Sequence, residues 1–109
     1  MKNRVFAVRN KIYQGIDNDP QGAMNPTGNV IRDAWVFGIL PETQTCEGWP
    51  ISRVEALYEQ VSKAWEPYAH LPSNLPEELR EKHHRIYAAA IEAAREKGWD
   101  PSEDTEIEA

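Results

Sequence analysis

The apolar positions of this chain follow two regimes. Up to residue 40 they recur at short range. "RVFAV" (4–8) is apolar, β-branched and aromatic, and in "KIYQGI" (11–16) Ile12, Gln14 and Ile16 face away from Tyr13. A period of two is the strand signature, and "RNK" between the two runs suits a tight turn, so a hairpin is expected. In "VIRDAWVFGIL" (30–40), Ile31, Asp33, Trp35, Phe37 and Ile39 alternate with Val30, Arg32, Ala34, Val36 and Leu40. Gly38 and Pro41 argue against a helix there, and a central strand is expected. Between these runs, "DNDPQGAMNPTGN" (17–29) is dense in turn formers and reads as a loop. It is long for a compact domain, where such loops are often functional.

After residue 50 the period lengthens. Val54, Tyr58, Val61, Trp65 and Tyr68 step by four and three, with Leu57 and Ala64 widening the stripe. That is an amphipathic helix. Ser52 and Glu55 have capping-box spacing, and Pro67 ends the regular part, which gives a helix over 52–67. A second helix is expected over 75–97. Asn74 or Ser73 is its cap, Pro76 lies in its first turn and Gly98 is its stop. Glu77 and Glu78 near its start and Arg95 and Lys97 near its end complement the helix dipole. The resulting expectation is a small α+β domain over 1–99. A two- or three-stranded antiparallel sheet from residues 4–40 packs against a C-terminal helical hairpin, and residues 100–109 form an acidic disordered tail.

Composition narrows the function more than the fold. The chain has 109 residues, 40% hydrophobic and 28% charged, which suits one domain with a modest core. The net charge is −6. Residues 1–50 balance Lys2, Arg4, Arg9, Lys11 and Arg32 against Asp17, Asp19, Asp33, Glu42 and Glu47, so the excess acid lies in the second half and is concentrated in "DPSEDTEIEA". No cluster of Lys and Arg suits phosphate, which disfavours nucleic acid. No apolar run approaches the ~20 residues of a membrane span, and "MKNRVFAVRN" lacks the apolar core of a secretory signal. The lone Cys46 fits a reducing compartment, so a cytoplasmic protein is expected.

Candidate chemistry is sparse. "EKHHRIY" (81–87) puts Glu81 and His84 three apart on a helix, the half-motif of a di-iron bundle. His83 and His84 point about 100° apart and cannot grip one ion together. A packed His83 and a surface His84 are the plainer expectation. Cys46, His70, His83 and His84 lack zinc-site spacing. "DNDPQG" (17–22) opens like a calcium loop but has Gly28 where the closing Glu belongs. Cys46 sits beside Glu47, which disfavours its thiolate. No cofactor and no catalytic residue are assigned. Tryptophan stands out: there are four, and Trp49 and Trp99 follow glycines in connections. Aromatics are enriched at binding hot spots. Trp35, Trp49 and Trp99, with Asp17, Asp19 and Met24 of the long loop, are therefore the expected partner-binding residues. The function expected is that of a non-catalytic accessory or adaptor protein working through a protein partner or as a homodimer. Its alternatives are a metal-binding protein using Glu81, His83 and His84, and an acidic mimic of nucleic acid.

Overall fold

A computed structural model of the chain describes residues 11–100. It is helical. Three long helices, α1 (Pro26–Val36), α2 (Ile51–Trp65) and α3 (Glu77–Glu96), are joined by turns and short 3₁₀ segments. No sheet forms among the described residues, so the α+β expectation is overturned. The expected strand at 4–8 and the acidic tail beyond Asp100 lie outside the described residues. In 11–16, a single antiparallel bridge joins Ile12 to Pro50. Neighbouring backbone bonds (Tyr13 N to Trp49 O, 2.8 Å; Gly48 N to Tyr13 O, 2.9 Å; Ile16 N to Thr45 O, 3.0 Å) tie this segment along 45–49 without extending into a ladder.

The expected central strand is α1, and the residues that argued against a helix are its boundaries. Asn25 is its N-cap: the side-chain Oδ1 accepts from Gly28 N at 2.8 Å, and Pro26 follows with its φ preset for the first turn. At the other end Gly38 takes φ 73°. Gly38 N donates to Trp35 O at 3.2 Å and Ile39 N to Ala34 O at 2.9 Å, the paired bonds of a Schellman stop. Wound at 3.6 residues per turn, the buried positions Gly28, Ile31, Arg32 and Ala34 form one face. The apparent alternation came from a helix whose two sides are both largely apolar.

The two later helices match their period better than their caps. α2 buries Val54, Leu57, Val61 and Trp65 and passes into a 3₁₀ turn at Glu66–Tyr68, where Pro67 falls. Its N-cap is Pro50, with no side-chain cap, so Ser52 and Glu55 form no capping box. Before α3, Asn74 belongs to a 3₁₀ turn and donates through Nδ2 to Tyr68 O, while Pro76 stands at the N-cap. Gly98 ends α3 as Gly38 ends α1, with Trp99 N donating to Ala94 O at 3.0 Å and Gly98 N to Arg95 O at 3.1 Å.

The core is built by α1, α2 and the paired 13–16 and 45–49 segments: Tyr13, Ile16, Ala23, Ile31, Ala34, Cys46, Trp49, Val54, Leu57, Val61 and Trp65, closed by Leu75. Each large aliphatic side chain buried there contributes roughly 1.5–3 kcal/mol. α3 stands partly outside. It packs on α1 and on the Pro20–Ala23 stretch, so the chain's central element is a helix where a central strand was expected. Along α3 only Ile86 and Ala94 are fully buried, and neither belongs to the main cluster.

Candidate functional site

Where α3 crosses the chain's early loop, the backbone is unusual. Within Pro20–Ala23, Gln21 (φ 57°), Gly22 (φ 71°) and Ala23 (φ 57°) run consecutively through the positive-φ region. Such a turn costs roughly 1 kcal/mol or more at each non-glycine position, so something must hold it. Arg32 does so from α1. Its Nη1 donates to Ala23 O (3.0 Å) and Asn29 Oδ1 (3.2 Å), and its Nη2 donates to Gly22 O. Close contact brings the pieces together. A Cβ on Gly22 would lie 2.7 Å from both Cα and Cβ of Ala94, and one on Gly28 would lie 2.0 Å from Ala23 O. Glycine at both places lets α3 and α1 touch the turn directly.

Arg32 is only 3% exposed, the one buried charged side chain among the described residues. Its hydrogen bonds all go to neutral oxygens. The one ion pair among the described residues is Arg85 with Glu42, at 3.0 Å, on the surface. Asp19 and Asp33 act on Arg32 from farther away, and each accepts from a tyrosine: Tyr13 OH donates to Asp19 Oδ2 (2.7 Å), and Tyr87 OH donates to Asp33 Oδ1 (2.6 Å). Burial lowers the Arg32 pKa, its largest influence, but a guanidinium remains charged at neutral pH. Burial, reinforced by the acceptor carboxylates, pushes both tyrosines well above the usual phenol value.

Beside this turn lies a groove of about 290 Å³. Its apolar wall is Ile16, Trp35 and Ile86 with Ala89, Ala90 and Ala93 of α3. Arg32 lines its floor, and Asp17, Glu42, Arg85 and Lys97 line its rim. The smooth alanine run of α3 opens this space, because no side chain there reaches across to α1. A second cleft of about 430 Å³ runs past Asp33, Trp65, His70, His83 and Tyr87. Two of its polar side chains bond to each other and to their neighbours. Asp33 Oδ2 accepts from Trp65 Nε1 at 3.0 Å, and Tyr87 OH also donates to Asn29 O at 3.0 Å.

The structure scatters the residues expected to bind a partner. Trp35 and Asp17 meet in the groove. Trp35 is half-buried there, and its indole N–H donates to Gln44 O at 2.9 Å. Asp19 is committed to Tyr13, and Met24 is half-buried at the end of the left-handed turn. Trp49 is a core residue with the Arg53 guanidinium 3.8 Å above its ring. Trp99 is half-buried just past the end of α3 and is not among the residues lining the groove. The histidines behave as helix geometry required. His83 stacks on Tyr87 (4.5 Å between centroids) and meets the edge of Trp65 (6.0 Å), while His84 and Glu81 are exposed. Burial lowers the His83 pKa. No group of three His, Cys, Asp or Glu among the described residues could hold a metal ion. Burial pushes the Cys46 thiol up to about 11, despite the positive charge of Arg53 nearby. Cys46 is fully buried and disfavoured as a thiolate.

Sequence reading missed Arg32 and the groove. The available signal was a cation at position 32 in register with Gly28, Ile31 and Trp35, which on a helix places it inside an apolar stripe. The chain matches no family model, and neither a curated protein nor a solved structure matches it.

Proposed function

We propose that this chain is a non-catalytic accessory protein of the cytoplasm that holds a segment of a partner protein in the groove between α3 and the 16–22 segment. The observation that carries the reading is the groove itself. An apolar wall of Trp35, Ile86 and alanines, rimmed by charges of both signs, has the anatomy of a recognition surface. Trp35 supplies the rigid aromatic anchor typical of such sites. The side chains capable of chemistry near the groove are engaged elsewhere: Asp19 and Asp33 bind tyrosines, Tyr87 binds Asp33 and Asn29, and Cys46 is enclosed. Among the described residues no helix is long and apolar enough to cross a membrane.

The test is position-resolved cross-linking in the native host. A photoreactive side chain replaces Ala93, which is exposed and lines the groove, and a control replaces Glu59 on the exposed side of α2. The reading expects position 93, and not 59, to cross-link to one segment of one polypeptide, with loss of that product when Ala90→Trp fills the groove. A segment of a second copy of this chain would make the partner a homodimer. Equal products from both positions, or none from 93, would rule the reading out.

A further inference from the structure

The three hydrogen bonds of Arg32 occupy one end of its guanidinium. Nη1 gives both of its protons, to Ala23 O and Asn29 Oδ1, and Nη2 gives one, to Gly22 O. No acceptor among the described residues takes the Nε–H. No buried side-chain nitrogen or oxygen among the described residues lacks a partner, so Nε is not wholly enclosed. Arg32, 3% exposed, is one of the residues that line the groove. Two parallel N–H groups on a fixed plane match the two oxygens of a carboxylate.

The surroundings favour an anion at that place. A buried cation ordinarily sits against a carboxylate, and none lies within ion-pair distance of Arg32 among the described residues. Its rotamer is already fixed by the Gly22 and Ala23 carbonyls, so little ordering remains to be done on binding. Lys97 adds a second positive charge at the rim. Of the two rim carboxylates, Glu42 is held bidentate by Arg85 (3.0 and 3.1 Å), and Asp17 is exposed, where solvent and salt weaken its repulsion.

Size then selects the form of the ligand. About 290 Å³ lies at the lower end for a small-molecule cleft and is far too small for the face of a helix. It suits one or two residues. We propose that the groove captures the C-terminus of a partner polypeptide: the terminal carboxylate pairs side-on with the Nε edge of Arg32, and an apolar last side chain lies on Trp35, Ile86 and the alanine face of α3. Capture of a chain end supplies a carboxylate and an adjacent apolar group at one fixed spacing, which is the arrangement the groove presents. This deepens the function proposed above and rests on it.

The experiment is a titration of the full chain, labelled with 15N, using acetyl-Ala-Leu with a free carboxylate and the same dipeptide as its amide. The signals followed are the Nε–H of Arg32 and the indole N–H of Trp35. The free acid is expected to shift both, with a dissociation constant on the order of 1 mM for so small a ligand. The amide, and an amidated acetyl-Ala-Glu carrying its acid on a side chain, should each bind at least about 10-fold more weakly. Arg32→Lys should lose the preference for the acid. Because Arg32 also braces the turn, Ala93→Trp is the companion variant: it fills the groove from an exposed helical position and should abolish the shifts in a folded protein. Silence of both signals to about 20 mM acid, equal binding of acid and amide, or unchanged binding by Ala93→Trp would overturn the proposal. So would hexanoate binding as tightly as the dipeptide acid, which would make the ligand a free small acid rather than a chain end. Equal binding of acid and amide would leave the accessory role standing; a failed cross-link from position 93 would remove that role itself.

Discussion

Gly28 offers the sharpest test of the fold, because two physical arguments predict opposite signs for Gly28→Ala. It lies inside α1, where replacing glycine by alanine ordinarily stabilises by roughly 0.5–1 kcal/mol. Yet the added Cβ would lie 2.0 Å from Ala23 O, 2.8 Å from Ala23 Cβ and 3.0 Å from Ala23 C. The obstacle is backbone, and it cannot rotate away. To accommodate the methyl, the left-handed turn must retreat from α1, and the Ala23 carbonyl leaves Nη1 of Arg32. Loss of a charge-assisted hydrogen bond at a buried site costs about 1.5–3 kcal/mol. The strain of overpacking adds about 1–3 kcal/mol. Set against the helix-propensity gain, the expected outcome is a net loss of about 2–5 kcal/mol. For a domain of this size that lowers the melting temperature by on the order of 10 °C or more. Guanidinium chloride unfolding followed by tryptophan fluorescence would report it as a lower midpoint at unchanged slope. A variant as stable as the parent, or more so, would refute the close approach of α1 to the turn, and with it the account of Arg32 as a brace.

Other outcomes are also specific. Burial depresses the His83 pKa, so the unfolded chain binds a proton there more readily than the folded one. Stability is therefore expected to fall as pH drops through the range below the ordinary histidine value near 6.5, and His83→Gln should remove that component of the pH profile. For Tyr87 the sign is opposite: its folded pKa is raised, so stability is lost as pH climbs past the ordinary value of 10.0, and Tyr87→Phe should flatten that loss. At neutral pH the same variant removes the Tyr87 hydroxyl's bonds to Asp33 Oδ1 and to the Asn29 carbonyl, leaving the Asp33 carboxylate only its bond from Trp65, and should cost about 1–3 kcal/mol in thermal unfolding. Cys46 should resist a thiol reagent at pH 8 in the native protein and react promptly in denaturant; equal rates would mean that its enclosure in the core is wrong. Trp49→Ala should act as a core truncation, costing about 3–5 kcal/mol, rather than as an interface change, which calorimetry would distinguish from a binding defect.

How much of this was legible in the sequence depended on the range of each cause. The stripe of α2 was readable because the four-and-three spacing of Val54, Tyr58, Val61 and Trp65 has one interpretation, although the structure exposes Tyr58 and buries Leu57 in its place. The caps of α2 and α3 were not, because Ser52 and Asn74 hold capping chemistry at positions where the chain turns one or two residues away from the expected place. α1 was misread for a definable reason. Asn25-Pro26 is a start signal that looked like further turn residues within "DNDPQGAMNPTGN", Gly38 is a stop signal that counted against any helix, and a helix apolar on two sides imitates alternation. The loss of α1 also concealed the site. Arg32 acquires its meaning from the carbonyls of Gly22 and Ala23, and Gly22 from Ala94, a residue more than seventy positions away; no local pattern encodes either contact. Helix angles did separate the two histidine rings, with His83 stacked on Tyr87 and His84 exposed.

The standing of α3 outside the main cluster has a consequence for how the protein opens. Its first turn is anchored through Leu79 on the core, but from Arg85 onward it is held, outside the main cluster, by the buried Ile86 and Ala94, a surface ion pair, the Tyr87 hydroxyl and the backbone contact at Gly22. Unfastening those few contacts leaves the α1–α2 core intact, so the second half of α3 forms a cooperative unit of its own below the global stability. In hydrogen-exchange terms, the amides from about residue 88 to residue 96 should exchange through a shallower opening than those of α2. The groove exists only while that unit is closed. Any ligand lodged there binds the closed state alone, and so slows exchange along α3 by the same factor by which it is bound in excess. The protection of one half-helix becomes a direct gauge of occupancy, readable without knowing what the occupant is.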